Sequence, residues 1–186
     1  MTVKAKYHID DTFLITGRGI VFAGYIIEGE ISLGDYIEFC VFNKKLLRKI
    51  VGIEGIRIAQ PTKVNTGLLI KCRDESEIKE LRKIKPSSLN STIKQIDKPV
   101  RLWADFNATG DFGLRLNCNG TVKDLKSQDI ELIDGMELLL WDEDFNDNEE
   151  RDDLIVSAIA RFNDKRNYWE GEFEWSKIRH ESDINK

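Results

Sequence analysis

The sequence predicts an all-β protein in which a β-barrel is followed by a second, small β-rich domain of the sandwich or barrel type. Short apolar runs that alternate with polar residues recur along the 186 residues, and glycines or an Asn-Lys pair stand between them. Many short strands with glycine turns are typical of barrels and sandwiches rather than of βαβ units. The length suits two domains of about 85–90 residues each, by ordinary domain sizes.

The strand candidates of the first half are short and closely spaced. They are Val21–Ile27, Ile31–Leu33, Tyr36–Phe42, Lys49–Ile53 and Gly67–Cys72. A short helix is expected at Asp74–Leu81, because acidic residues at its start suit the positive end of the helix dipole. The stretch 85–92 holds a proline and a Ser/Asn/Thr cluster, which is typical of a connection. We therefore expect a barrel domain at 1–88, a linker at 89–97 and an acidic β-rich domain at 98–186.

The clearest strand of the second half is Tyr168–Ser176. Aromatic residues alternate there with glutamates, which predicts a half-buried strand with an acidic outer face. Leu138–Trp141 and Leu154–Phe162 flank an acidic segment, and we expect them to pair as a hairpin.

A regular pattern of glycines and apolar residues runs from Phe13 to Glu38. It has the form F-x-I-x-G-R-G-x-V-x-x-G, followed by G-x-I-x-x-G-D. Gly17 and Gly19 allow a tight turn between two strands, and the later glycines permit the next turns. Further matches lie at Ile53-Glu54, Asn65–Ile70 and Arg82–Ser88. Over about residues 9–88, this pattern resembles the second-domain barrel of elongation factor Tu and its relatives.

The resemblance implies a closed, translation-factor-like barrel of six or seven strands. In that family the barrel holds the aminoacylated 3′ end of tRNA in some members and is a docking surface for ribosome or protein in others. Two positions depart from the family pattern: Ala23 stands where the family has Thr, and Tyr25 where it has Arg. The second half resembles only domains of uncharacterised bacterial proteins, through Gly120–Leu125 and Trp175–Ser182, which implies no function.

The motifs of a GTPase are absent from this sequence. It holds neither a G-x-x-x-x-G-K-[ST] phosphate loop nor a D-x-x-G motif. Asn43-Lys44-Lys45-Leu46 differs from the guanine-reading N-K-x-D because leucine replaces the aspartate, and it suits a hairpin tip better. We therefore expect no nucleotide as a partner.

A basic cluster surrounds this expected hairpin tip. Its members are Lys44, Lys45, Arg48 and Lys49, and with Arg18 and Tyr25 they are the candidate binding residues of the barrel. Cationic side chains on one surface suit RNA phosphates or an acidic protein. The alternative is that they only keep a sheet edge soluble.

The two halves differ in charge. Residues 1–85 hold 15 Lys/Arg and 11 Asp/Glu, whereas residues 98–186 hold 12 and 21. Eight of the acids lie at 142–153, where oxygen-bearing side chains follow the register of a calcium loop. The candidate metal ligands are Asp142, Asp144, Asn146 and Asp153, with Ca²⁺ as the ion. A solvated acidic loop is the alternative, because Asp147 stands where a calcium loop needs glycine. No other cofactor is expected.

No apolar run approaches the roughly 18–20 residues of a membrane span, and the N-terminus is polar, so we expect a cytoplasmic protein without a membrane partner. Three widely spaced cysteines agree with reduced thiols. His8 and His180 form no catalytic pattern with their neighbours, and we expect no enzyme. The leading hypothesis is a non-catalytic binding protein, whose barrel contacts protein or RNA and whose acidic domain contacts a second partner. Alternatives are an immunity- or antitoxin-like inhibitor of a basic toxin and a metal-dependent enzyme that uses the acidic loop.

Overall fold

A computed structural model describes residues 1–41, 43–56, 65–83 and 89–185, which fall into two compact units, Met1–Asp97 and Lys98–Lys186. Strand accounts for 53% of the chain and helix for only 14%, which confirms the all-β class. No helix among the described residues is long and apolar enough to cross a membrane.

Unit 1 is a closed barrel of six antiparallel strands, with the spatial order β1-β2-β5-β4-β3-β6. The strands are β1 (Thr2–Ile15), β2 (Gly19–Gly29), β3 (Tyr36–Val41), β4 (Lys44–Ile56), β5 (Asn65–Ile70) and β6 (Leu89–Gln95). This confirms the predicted barrel, although Ile31–Leu33 is not a strand.

The segment 89–97, expected to be a linker, instead contributes the strand that closes the barrel. β6 pairs with β1 on one side and with β3 on the other. Ile93 lies opposite Ile37 and is fully buried in the barrel core. The linker prediction is therefore wrong for residues 89–95, because one buried isoleucine among polar residues is a weak strand signal. Residues 84–88, most of the Arg82–Ser88 match to the family pattern, lie outside the described residues.

Three glycines of the barrel have conformations or surroundings that suit a residue without a side chain. Gly17 and Gly19 have φ angles of 76° and 125°, as a tight turn between β1 and β2 requires. At Gly24 a Cβ atom would lie 1.8 Å from the backbone oxygen of His8. The β1–β2 register shifts beside this point, between Ile9 and Asp11, so the two backbones approach too closely for any side chain.

The predicted short helix is present as α1 (Glu75–Leu81). Asp74 is its N-cap, and its Oδ1 accepts the Glu77 N–H at 2.9 Å. Leu81 is 1% exposed and belongs to the apolar core of the barrel. The helix is thus fastened to the barrel interior by its last residue.

Unit 2 is one six-stranded sheet with the order β7-β9-β10-β11-β8 and with β12 on β10. Its elements are β7 (Val100–Trp103), β8 (Gly113–Arg115), α2 (Asn119–Ser127), β9 (Glu137–Asp142), β10 (Leu154–Asn163), β11 (Tyr168–Glu172) and β12 (Arg179–His180), with two short 3₁₀ helices at Trp175–Lys177 and Glu181–Asn185. A single sheet with one α-helix replaces the expected sandwich or barrel. The predicted hairpin is confirmed, since β9 and β10 are antiparallel.

The helix α2 closes one edge of this sheet. The Asp124 carboxylate accepts the Trp103 N–H of β7 at 2.9 Å, and the Gln128 amide donates to the Arg101 carbonyl at 3.0 Å. These contacts occupy backbone groups that an edge strand would otherwise offer to another chain.

The predicted acidic outer face of Tyr168–Ser176 is wrong at Glu170. The strand β11 ends at Glu172, and the Glu170 side chain is fully buried. Its carboxylate accepts the amide of Asn163 at 2.6 Å and the Phe112 N–H at 2.5 Å. Those donors satisfy the carboxylate, so it lies inside the unit instead of facing water.

Candidate interaction surfaces

The basic residues Lys44 and Lys45 lie at the tip of the β3–β4 hairpin. Cys40 pairs with Lys45 and Val41 with Lys44, and Asn43 takes a φ of 60° in the turn. Both lysines and Cys40 are exposed. The predicted hairpin tip is therefore present, and two lysines of the predicted cluster lie on its surface.

Arg48, predicted to bind a partner at the surface, lies in the barrel interior. Its side chain is 5% exposed, and its Nε donates to Oε1 of Glu77 at 3.0 Å. Its Nη1 also donates to the Leu47 carbonyl at 2.9 Å. The Glu77 carboxylate in turn accepts the Arg73 N–H at 2.7 Å. Arg48 therefore anchors α1 to the barrel and does not belong to an exposed binding surface.

Lys49 lies away from the hairpin tip, opposite Tyr36 at the start of β3. It is half-buried, with its Nζ 5.3 Å from the centre of the Tyr36 ring. Lys94 of β6, opposite Tyr36, pairs with Glu38 at 2.5 Å. The exposed cationic surface at the hairpin tip thus consists of Lys44 and Lys45; we call these two residues the hairpin lysines.

Arg18 and Tyr25 lie elsewhere on the barrel. Arg18 is in the β1–β2 turn and pairs with Glu54 at 2.5 Å, at the end of β4 opposite the hairpin tip. Tyr25 of β2 lies against the His8 ring, with 5.0 Å between ring centres. Arg18 lies at the far end of β4 and Tyr25 lies on β2, which β5 separates from β4, so the structure does not gather these two residues with the hairpin lysines.

The candidate metal ligands at 142–153 are each committed to other partners. Asp142 accepts the N–H groups of Phe106 at 3.1 Å and Glu143 at 3.0 Å. Asn146 caps its own turn by accepting the Glu150 N–H at 3.0 Å. The Asp144 carboxylate accepts the Phe145 N–H at 2.9 Å. These contacts are those of a self-contained hairpin loop.

Asp153, the last candidate ligand, is 7% exposed and lies between two guanidinium groups. Arg151 donates to it at 2.8 Å and Arg101 at 3.2 Å. Among the described residues, no group of three or more His, Cys, Asp or Glu side chains is arranged to hold a metal ion. The four candidates are therefore not brought to one centre.

A contact that the sequence did not indicate fastens the C-terminal segment to this loop. Ser182 donates both its N–H and its hydroxyl to the Asp152 carboxylate, at 3.0 and 2.8 Å. The Nδ1 atom of His180 lies 2.9 Å from the Asp152 carbonyl oxygen. This hydrogen bond, followed by the nearby carboxylates of Asp152, Asp144 and Asp183, raises the pKa of His180.

The sheet of unit 2 carries a groove that sequence reasoning also missed. It has a volume of about 310 Å³, and its lining residues are Pro99, Glu137, Leu138, Ser157, Ala158, Ile159 and Glu172. Ile159 is 40% exposed, although the even-numbered residues beside it in β10 are buried. The sequence signal for an exposed apolar residue was that Ile159 alternates with polar residues, since Ser157 and Arg161 lie two positions away on the same face of the strand.

Comparison with known proteins gives a partial similarity. No protein-family model matches the sequence. The chain is 35% identical over 86 residues to the apicoplast elongation factor Tu of Theileria parva, an alignment that covers 44% of this chain and 21% of that protein. The chain thus spans about a fifth of the length of this relative. A partial similarity of this size and the six-stranded barrel agree with a barrel like the second domain of that factor.

Proposed function

We propose that this chain is a non-catalytic binding protein, in which the barrel contacts an RNA or protein partner through the hairpin lysines and unit 2 contacts a second partner. The observation that carries the proposal is the closed barrel with its partial similarity to elongation factor Tu. No nucleotide or metal cofactor is part of this proposal.

The geometry of the hairpin supports this choice of surface. Lys44 and Lys45 are exposed at the turn of a paired hairpin, so the backbone that carries them loses little conformational freedom when a partner binds. Arg48, which faces the interior, holds α1 and so keeps the base of the hairpin in place. A rigid strand pair with cations at its tip is suited to phosphates or to an acidic protein surface.

Cys40 provides a site for testing this surface. Cys40 is exposed and lies opposite Lys45, whereas Cys72 is partly buried; this burial, followed by the Glu77 charge, raises the pKa of Cys72 to about 12 and slows its reaction at neutral pH. In a Cys118→Ser background, a benzophenone maleimide on Cys40 is photolysed in a bacterial lysate, with and without ribonuclease. We expect a defined adduct, and its sensitivity to ribonuclease separates an RNA partner from a protein.

Two matched controls make the result specific. Lys44→Glu with Lys45→Glu should abolish the adduct, whereas Lys79→Glu with Lys83→Glu, two exposed lysines at α1, should leave it intact. A label at Glu30→Cys, in the β2–β3 connection at the opposite end of β3, should give no such adduct. Equal adducts from both labels, or equal losses in both charge variants, would refute the assigned surface.

An inhibitor of a basic toxin is the second candidate function. The observation that favours it is the acid excess of unit 2, of which Glu143, Asp147, Glu149 and Glu150 are exposed on the β9–β10 loop. Opposite charge speeds association and favours basic partners. Co-expression with each neighbouring toxin gene tests it, and protection that persists after all four acids are changed to amides would contradict the charge mechanism.

A further inference from the structure

The groove of unit 2 is organised around one exposed isoleucine between two carboxylates. Ile159 of β10 lies directly opposite Glu137 of β9 and directly opposite Glu172 of β11. Residues paired in this way point to the same face of a sheet, and adjacent strands are about 4.8 Å apart. The two carboxyl groups therefore flank the Ile159 side chain across about 10 Å.

Arg161 pairs with one of the two carboxylates of this row. Arg161 donates to Oε1 of Glu172 at 3.0 Å, and its guanidinium lies 3.4 Å from the centre of the Phe112 ring. Arg161 is thus held at one border of the groove by two partners. The surrounding unit carries 12 basic and 21 acidic residues, a net charge of −9, which adds an attractive field for cations.

An apolar floor between two acids matches one kind of side chain. Arg and Lys have an aliphatic stem, which gains from apolar contact, and a cationic head, which remains near water or a carboxylate. A single small cation would gain nothing from Ile159, and a purely apolar segment would leave the carboxylates desolvated. The chemistry therefore selects a segment that offers both parts.

We propose that this groove docks an extended segment of a basic protein partner, with an Arg or Lys stem on Ile159 and its cationic head at Glu137 or Glu172. The proposal rests on the proposed function, since it names the class of partner that unit 2 binds. An extended segment suits the groove because its lining residues come from three neighbouring strands and from Pro99. Nucleic acid is disfavoured here by the negative charge of the unit.

The test uses the full chain and two fluorescent octapeptides of alternating Arg and Val, one of them with citrulline in place of every Arg. Fluorescence anisotropy measures binding, and amide chemical shifts locate it. We expect the Arg peptide to bind and to shift Leu138, Ala158 and Ile159, and the neutral peptide to bind about tenfold more weakly. Added salt should reduce the difference between the peptides.

Three variants separate the groove from general charge attraction. Glu137→Gln with Glu172→Gln should weaken the Arg peptide about fivefold or more, and Ile159→Ser should weaken both peptides. Glu143→Gln with Glu149→Gln removes the same charge from the β9–β10 loop and should change little. Equal losses in the two double variants, shifts outside the groove, or tighter binding of single-stranded RNA would overturn the proposal. Cross-linking from Cys40 tests the barrel surface, whereas peptide binding tests the groove of unit 2, so the failure of one proposal can be told from the failure of the other.

Discussion

Removal of Glu77 should destabilise unit 1 more than the loss of any ion pair on its surface. Glu77 and Arg48 are 3% and 5% exposed, and Arg48 Nε lies 3.0 Å from the carboxylate. At an effective dielectric constant of about 20, two charges at this distance attract by about 5 kcal/mol, most of which offsets their desolvation. Glu77→Ala leaves the Arg48 charge buried without this partner, which costs about 3–5 kcal/mol.

The assay exploits the distribution of tryptophan. All four tryptophans lie in unit 2, at Trp103, Trp141, Trp169 and Trp175. Tryptophan fluorescence during urea unfolding therefore reports on unit 2. Far-ultraviolet circular dichroism follows both units, and the part of its transition that is absent from the fluorescence curve reports on unit 1. We expect Glu77→Ala to lower the unfolding midpoint of that second part alone.

Two further variants decide whether burial is the cause. Arg48→Met with Glu77→Leu replaces both charges by apolar groups and should recover most of the lost stability, because no buried charge is left. Glu28→Ala breaks the exposed pair with Lys6, whose side chains are 60% and 58% exposed, and should cost well under about 1 kcal/mol. The reasoning is refuted if the double variant is as unstable as Glu77→Ala, or if Glu77→Ala costs no more than Glu28→Ala.

Three other predictions concern local contacts. Because the pKa of His180 is raised in the folded state, its contribution to the stability of unit 2 is complete below about pH 6.5 and is lost as pH rises through the folded pKa. Proton NMR of His180 should give a titration midpoint above about 6.5. His180→Asn should remove this part of the pH dependence of unit 2 unfolding. Asp124→Ala removes the acceptor of the Trp103 N–H and should destabilise unit 2 by about 1 kcal/mol. It should also increase self-association, measured by sedimentation, because the edge of β7 is then open to pairing. A variant that stays monomeric would contradict the role of α2 in closing this edge. Cys40 should react with a disulfide reagent faster than the partly buried Cys72, whose raised pKa leaves less thiolate at neutral pH, and equal rates for the two thiols in the folded chain would contradict this.

Several features of this protein follow from local sequence. The glycines at 17 and 19 indicate a turn, because both take positive φ angles that residues with a side chain rarely adopt. The acidic residues at the start of the segment 74–81 predict α1 at nearly its observed bounds. The β9–β10 hairpin follows from two apolar runs on either side of an acidic segment. Each of these signals lies within a few residues of the structure that it predicts.

Only the tertiary structure decided which charged residues lie inside. Arg48 belongs to a basic cluster in the sequence, but its partner Glu77 is 29 residues away and is brought to it by the closure of the barrel. Glu170 alternates like an exposed strand residue, and a loop 58 residues earlier provides the Phe112 N–H that permits its burial. β6 is a strand because β1 and β3 lie on either side of it. Burial of a charge or pairing of a polar strand depends on distant partners, and no local pattern records where the fold will place them.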